Sequence, residues 1–276
     1  MELKDRIIQL YQNPKKSYDV ADFSLFESFV DALNSGVVRA CEKEGEIWKV
    51  NQWVKMGILI GFRIGELSAM PAWGENCFFE KHTMPQKGFG IEDQVRIVPG
   101  GSSVRTGAYI AAGVTIMPPS YINIGAWVDS GTMVDSHALV GSCAQIGRRV
   151  HLSAGAMIGG VLEPIGTRPV VIEDDAFIGG NTGIYEGILI REKAVIAAGT
   201  ILTKATSVYD SVNKTYLPRD EDGVYIIPAG AVVVPGSRAL KGDLSHQVYC
   251  PIIIKYRDEK TDASLSLEDE LRIFGD

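Results

Sequence analysis

The sequence predicts a mainly β protein built around a parallel β-helix, with a small α-rich N-terminal domain before it and a C-terminal cap after it. Three observations predict this. Aliphatic residues recur every six positions through Val98, Val104, Ile110, Ile116, Ile122, Val128, Val134, Val140, Ile146, Leu152 and Ile158. A second run, Ile172, Ile178, Ile184, Ile190, Ile196, Leu202 and Val208, keeps the step in a new phase. Small residues follow many of these aliphatics at a spacing of four, among them Ser102, Ala108, Ser120, Ala126, Thr132, Ala138, Ala144 and Ala156. Large and small residues alternating with a period of six mark a hexapeptide solenoid, in which each repeat is a short strand and a turn. A helix would space its apolar residues by three and four, and an antiparallel strand would alternate for a few residues and stop.

A solenoid buries its aliphatics only when coils stack, so both ends need covers. Upstream, Leu3, Ile7, Ile8 and Leu10 before Asn13-Pro14 predict a short amphipathic helix. Asp22 is placed to cap a second helix carrying Phe23, Phe26, Phe29, Val30 and Leu33, ended by Asn34-Ser35-Gly36. Strand formers around Glu44-Gly45 predict a hairpin within residues 37–50, and Asn51 is placed to cap a third helix through Trp53, Met56, Leu59, Ile60 and Ile64. Residues 65–93, rich in Gly, Pro and aromatics, read as a packed connector into a first coil near Val95. The interval from Ile158 to Ile172 exceeds two six-residue steps by two, which predicts a small outward loop from Gly160 to Pro169. After Val208 a polar excursion reaches Tyr225, and the six-step resumes at Ile227 and Val233. Arg238 and Lys241 form a basic cluster, followed by a strand from Gln247 to Tyr256 and a helix from Ser266 to Ile273. The expected division is 1–94, 95–237 and 238–276.

With 276 residues, 46% of them hydrophobic, the chain can bury a substantial core. The surplus of glycine, 30 in all, lies mostly in the repeat, where turns use positive φ. A net charge of −7 and a pI near 5.2 argue against a broad nucleic-acid or anionic-membrane surface, though not against a local basic pocket. Cys41, Cys77, Cys143 and Cys250 form no CxxC pair, as expected of free thiols in a reducing compartment. The charged start MELKDRIIQL lacks a signal core, and no apolar run approaches a transmembrane length. The expected location is the cytoplasm.

From Met117 to Pro164 the sequence becomes more specific than a generic hexapeptide. The segments Pro119-Ser-Tyr-Ile-Asn-Ile-Gly-Ala126, Val128-Asp-Ser-Gly-Thr-Met-Val-Asp135, Val140-Gly-Ser-Cys-Ala-Gln-Ile-Gly147, Val150-His-Leu-Ser153 and Ile158-Gly-Gly-Val-Leu-Glu-Pro164 resemble the tetrahydrodipicolinate N-succinyltransferase family of the lysine and diaminopimelate pathway. The resemblance extends over nearly the whole chain. It implies a left-handed β-helix, against the usual right-handed crossover, a homotrimer with sites between subunits, and succinyl transfer from succinyl-CoA to the amine of L-2-amino-6-oxopimelate. An acetyl-CoA-dependent or toxin-pathway relative is the alternative within the same class, and a non-catalytic scaffold is the alternative outside it. No metal or permanently bound cofactor is implied.

Carried over by residue, the resemblance places substrate binding on Arg96 and the catalytic, substrate-contacting aspartate on Asp135. Guanidinium pairs with a carboxylate bidentately, which suits a dicarboxylate acceptor. A carboxylate beside the amine can take the proton lost as the amine attacks the thioester. On sequence alone Arg96 can also be a solvated arginine at the mouth of the coil, and Asp135 equally a turn aspartate bonding nearby backbone. A glutamate found in some members falls on Gly183, leaving Glu186, Glu163 or water to act with Asp135. His151 is the rival base, because its unperturbed pKa suits the task. His137 and His151 lie fourteen apart, which is no whole number of coils, so a three-histidine zinc site is not expected. Stepping by coils stacks Gly159-Gly160, Gly179-Gly180 and Ala197-Ala198 into a smooth column, making Gly160, Gly180 and Ala198 candidates to receive a pantetheine arm. Tight turns would explain the same small residues.

Overall fold

The structure is a computed structural model that describes residues 2–71 and 77–257. Two-residue strands recur at every hexapeptide and stack in parallel into three sheets, the walls of a three-sided prism. The first wall holds Tyr109–Ile110, Trp127–Val128, Gln145–Ile146, Val171–Ile172, Leu189–Ile190 and Ile226–Ile227. The second runs from Arg96–Ile97 through Thr115–Ile116, Met133–Val134, His151–Leu152, Phe177–Ile178 and Val195–Ile196 to Ala231–Val234. The third holds Ser103–Val104, Tyr121–Ile122, Leu139–Val140, Met157–Ile158, Gly183–Ile184 and Ile201–Leu202. This is the predicted left-handed parallel β-helix. In each pair the second residue turns inward, so Ile116, Val134, Leu152, Ile178 and Ile196 are fully buried in one continuous core.

Corners repeat with the same period. Positive φ recurs at Gly125, Gly131, His137, Cys143, Arg149 and Gly155, six residues apart. At Gly125 an added Cβ would also lie 2.8 Å from Ile58, where the helical domain meets the coil, so both conformation and space ask for glycine.

Three helices precede the solenoid: α1 (Leu3–Gln12), α2 (Val20–Asn34) and α3 (Gln52–Ile64). Two of their caps differ from expectation. Asp19, not Asp22, starts α2, and Asp22 returns a carboxylate to the Asp19 N–H to complete a capping box. Asn51 precedes α3, yet its amide donates to Arg39 O instead of capping, because the hairpin carbonyl lies within reach. The predicted hairpin appears as Cys41–Glu44 paired with Ile47–Val50, and the connector adds a second hairpin, Leu67–Pro71 with Cys77–Lys81.

The helical domain covers the first wall. Arg39 lies 4.2 Å over the Trp127 ring and donates to Gln145 Oε1. Glu173, 6% exposed, accepts from Trp48 at 2.8 Å and Arg191 at 3.0 Å and pairs with Lys43. A second core of Ile7, Phe29, Ile58 and Ile60 reaches the solenoid through Ile124 and Cys143. Cys41, Cys143 and Cys250 are free and buried, and burial pushes the Cys41 and Cys143 thiols up to about 12.

At the C-terminal end, Ile252–Tyr256 pairs antiparallel with Ala231–Val234, closing the open coil edge. The polar excursion opens with Tyr209–Asp210 paired to Thr215–Tyr216, and Tyr209–Asp210 also lies parallel to Ile252–Ile253. The single strand expected from Gln247 to Tyr256 is two, Asp243–Tyr249 and Ile252–Tyr256, broken at Cys250-Pro251. The helix expected from Ser266 to Ile273 lies outside the described residues.

The loop after Ile158 is larger than expected. Met157–Ile158 leads directly to Val171–Ile172 on the next wall, so the interval is one step plus eight residues rather than two steps plus two. Consistently, His151 pairs with Phe177 across 26 positions where an ordinary coil uses 18. Aliphatics at 158 and 172 fit both divisions, and only strand pairing decides between them.

Candidate active site

The corner between the second and third walls holds the candidate residues. Its outward second-wall residues, in coil order, are Arg96, Thr115, Met133, His151 and Phe177. Two positions further along, the same register stacks Met117, Asp135, Ser153, Gly179 and Ala197. The helical domain lies over the first wall, so this corner stays open. Arg96, Met117, Met133, Asp135, His151, Ser153, Ala154 and Gly180 line a cavity of about 370 Å³ there.

Asp135 is half-buried, and its Oδ1 accepts the Ser136 N–H at 2.6 Å. Its carbonyl accepts the Ser120 hydroxyl at 2.8 Å. The turn reading therefore holds for Oδ1, in a residue that also lines the cavity. Arg96 is exposed and has no ion-pair partner among the described residues, so its guanidinium is available to a carboxylate. His151, at 4% exposure, tilts against Phe177 with centroids 5.0 Å apart. It lines the same cavity as Asp135.

The column of small residues is partly corrected. Gly180 lines the cavity, and a Cβ on Gly179 would meet Ala198 N at 2.5 Å, which puts Ala197-Ala198 one coil above Gly179-Gly180. Gly160 is elsewhere. Because the insertion adds eight residues, Gly159-Gly160 falls on the corner between the third and first walls, where Gly160 abuts Gly141 and Ser142. The coil below Gly179-Gly180 is instead Ser153-Ala154, whose Ser153 N–H donates to Ile178 O at 2.9 Å. Sequence stepping missed Ser153 and Ala154 because the size of the insertion was hidden.

The third wall shows what stands at Gly183. A Cβ there would lie 2.5 Å from the Tyr185 ring and 2.9 Å from its hydroxyl, and Gly159 would meet the same ring at 2.7 Å. Tyr185 thus lies flat across two glycines, in the space a side chain at 183 would fill. Glu186 is exposed and caps the Lys204 N–H at 2.7 Å, and neither it nor Glu163 lines the cavity. Among the described residues, no three His, Cys, Asp or Glu side chains converge as metal ligands, and no helix is long and apolar enough to cross a membrane.

Comparison with known proteins places this geometry in a family. Residues 2–64 match the family model for the tetrahydrodipicolinate N-succinyltransferase N-terminal region, and residues 169–204 match the hexapeptide repeat of succinyl-transferase. The 2,3,4,5-tetrahydropyridine-2,6-dicarboxylate N-succinyltransferase of Paraburkholderia phymatum is 44% identical over 247 residues, covering 88% of this chain and 86% of that protein. The enzyme of the same name from Burkholderia cenocepacia is 43% identical over 247 residues, with the same coverage of 88% and 86%. A Campylobacter jejuni crystal structure bearing the name 2,3,4,5-tetrahydropyridine-2-carboxylate N-succinyltransferase superposes with a TM-score of 0.51 at 18% identity, over 81% of this chain and 62% of that one. At that identity the likeness is one of fold. With relatives this similar along most of its length, the chain belongs to the tetrahydrodipicolinate N-succinyltransferase family.

Proposed function

We propose that this chain is a CoA-dependent N-acyltransferase that moves succinyl from succinyl-CoA to the amine of L-2-amino-6-oxopimelate, working in the cytoplasm as a homotrimer. The observation that carries the reading is the meeting of Arg96, Asp135 and Gly180 in one cavity, although they lie far apart in sequence. A cation suited to a carboxylate, a carboxylate suited to an amine proton and a smooth column suited to a pantetheine arm are the three things this reaction needs from a protein.

Arg96 holds a carboxylate of the acceptor, and Asp135 accepts the proton that the attacking nitrogen loses. The amine attacks the thioester carbon, the carbon–sulfur bond breaks, and the proton passes through Asp135 to the departing thiolate. The pantetheine arm lies along Ala154, Gly180 and Ala198, where no long side chain obstructs the backbone. His151 is the second candidate base, since it lines the same cavity.

Thiol release measured with succinyl-CoA and with acetyl-CoA, each with and without the acceptor, tests the reading. Acceptor-dependent release favouring succinyl-CoA is expected. Release favouring acetyl-CoA would change the donor, and no release with either would leave a scaffold.

A further inference from the structure

We infer that Ser153 is a catalytic residue of the acyl transfer, donating its hydroxyl proton in a hydrogen bond to the thioester oxygen as that oxygen becomes negative; the inference rests on the acyltransferase reading. The first observation is position. In the corner stack Ser153 lies between Asp135 below and Gly179 above, and neighbouring coils stand about 4.8 Å apart. An acyl-CoA whose arm follows Ala198 and Gly180 toward the base brings its thioester over the coil between them, which is the coil of Ser153.

The second observation concerns the hydroxyl itself. Four hydroxyls placed four residues after an inward aliphatic return to the backbone: Ser120 donates to Met117 O at 2.5 Å, Thr132 to Gly147 O at 2.8 Å, Thr182 to Gly179 O at 2.5 Å and Thr200 to Ala197 O at 2.7 Å. Those bonds close the corners. Among the described residues the half-buried Ser153 makes no such bond, and neither do Ser130, Ser136 and Ser142 on other corners, but of these four only Ser153 lines the cavity with Asp135 and Gly180. A hydroxyl carried beside the cavity on a coil-held backbone needs little reorganisation when charge develops.

The amine lone pair forms the carbon–nitrogen bond, and the carbonyl π pair moves onto oxygen, where the Ser153 hydroxyl stabilises it without transferring its proton. Asp135 takes the nitrogen's proton. The oxygen pair then re-forms the carbonyl, the carbon–sulfur bond breaks, and the thiolate receives the proton from Asp135.

Steady-state kinetics of Ser153→Ala, with Ser153→Thr as the variant that keeps a hydroxyl, test this with succinyl-CoA and the acceptor. Ser153→Ala is expected to lower kcat by about 10²-fold, the range for one lost donor at a developing oxyanion, with both KM values within twofold of wild type and an unchanged melting temperature. Ser153→Thr should recover most of that loss. A kcat within twofold of wild type in Ser153→Ala, or a change confined to KM, would overturn the assignment, as would a misfolded Ser153→Ala beside a folded but inactive Ser153→Thr. Absence of acyl transfer by the wild-type chain is the separate outcome that removes the acyltransferase reading and this inference with it.

Discussion

Asp135 and His151 share one cavity, so their division of labour has to be read from chemistry. A base must be reachable by the nitrogen that loses its proton. Asp135 is half-buried at the corner, whereas His151 is 4% exposed against Phe177. Asp135→Asn should therefore lower kcat by roughly 10²-fold or more, the range for loss of a general base, with acceptor KM less affected. If Asp135→Asn keeps near-normal turnover and His151→Ala abolishes it, the base is the histidine. Both residues were singled out from the sequence, Asp135 by resemblance and His151 by its pKa, but their meeting required knowing that 135 and 151 fall on adjacent coils. Ser153 was unreadable for a related reason, because a serine's use depends on whether its hydroxyl is already bonded.

The coil is the element that turns spacing into a surface. Gly179 and Gly180 are adjacent but unequal: a Cβ on Gly179 would strike backbone at 2.5 Å, while one on Gly180 would stand 3.2 Å from Ala154 O. Gly179 is needed for the coils to approach, and Gly180 tolerates a side chain after a small adjustment. Gly180→Leu is thus expected to fold and to raise the KM for acyl-CoA severalfold, because leucine fills the path of the arm. Normal acyl-CoA kinetics in a folded Gly180→Leu protein would take the column out of the site. The period of six made this element legible from its first aliphatics, yet Gly160 was misplaced, since an eight-residue insertion leaves Ile158 and Ile172 looking as though two steps separated them.

For the whole molecule, the join between the helical domain and the solenoid depends on Glu173. Burial pushes its carboxyl up, but hydrogen bonds from Trp48 and Lys43 and the Arg191 charge together outweigh it, so it titrates below its ordinary value. A carboxyl lowered on folding contributes stability that is complete above its unfolded pKa of about 4.3 and is lost as pH falls through the lower folded value. Glu173→Ala should cost about 2 kcal/mol at pH 7, as for lost hydrogen bonds to a charged group whose cationic partners still reach solvent, and should flatten the acid limb of stability. Urea melts of both proteins at pH 7 and below pH 4 check the expectation, and an equal loss at the two pH values would remove the carboxylate as its source. The open third wall exposes Met157 and Ile201 at 37% and 36%, apolar positions that a threefold assembly would cover. Light scattering is expected to give three times the 30.0 kDa chain mass, and a monomer would remove the intersubunit site.

By itself the sequence determined the solenoid, its six-residue step and the helices that begin the chain, because inward aliphatics must recur wherever a coil turns a wall toward the core. Through the family resemblance it also pointed to Arg96 and Asp135 as candidates. Only the tertiary structure decided which coil lies on which. The size of the insertion, the replacement of Gly160 by Ala154 in the column and the Tyr185 ring over Gly159 all follow from strand pairing across 26 positions. A side chain's neighbours one coil away are set by the length of chain between them, and an insertion changes that length without disturbing the periodicity on either side.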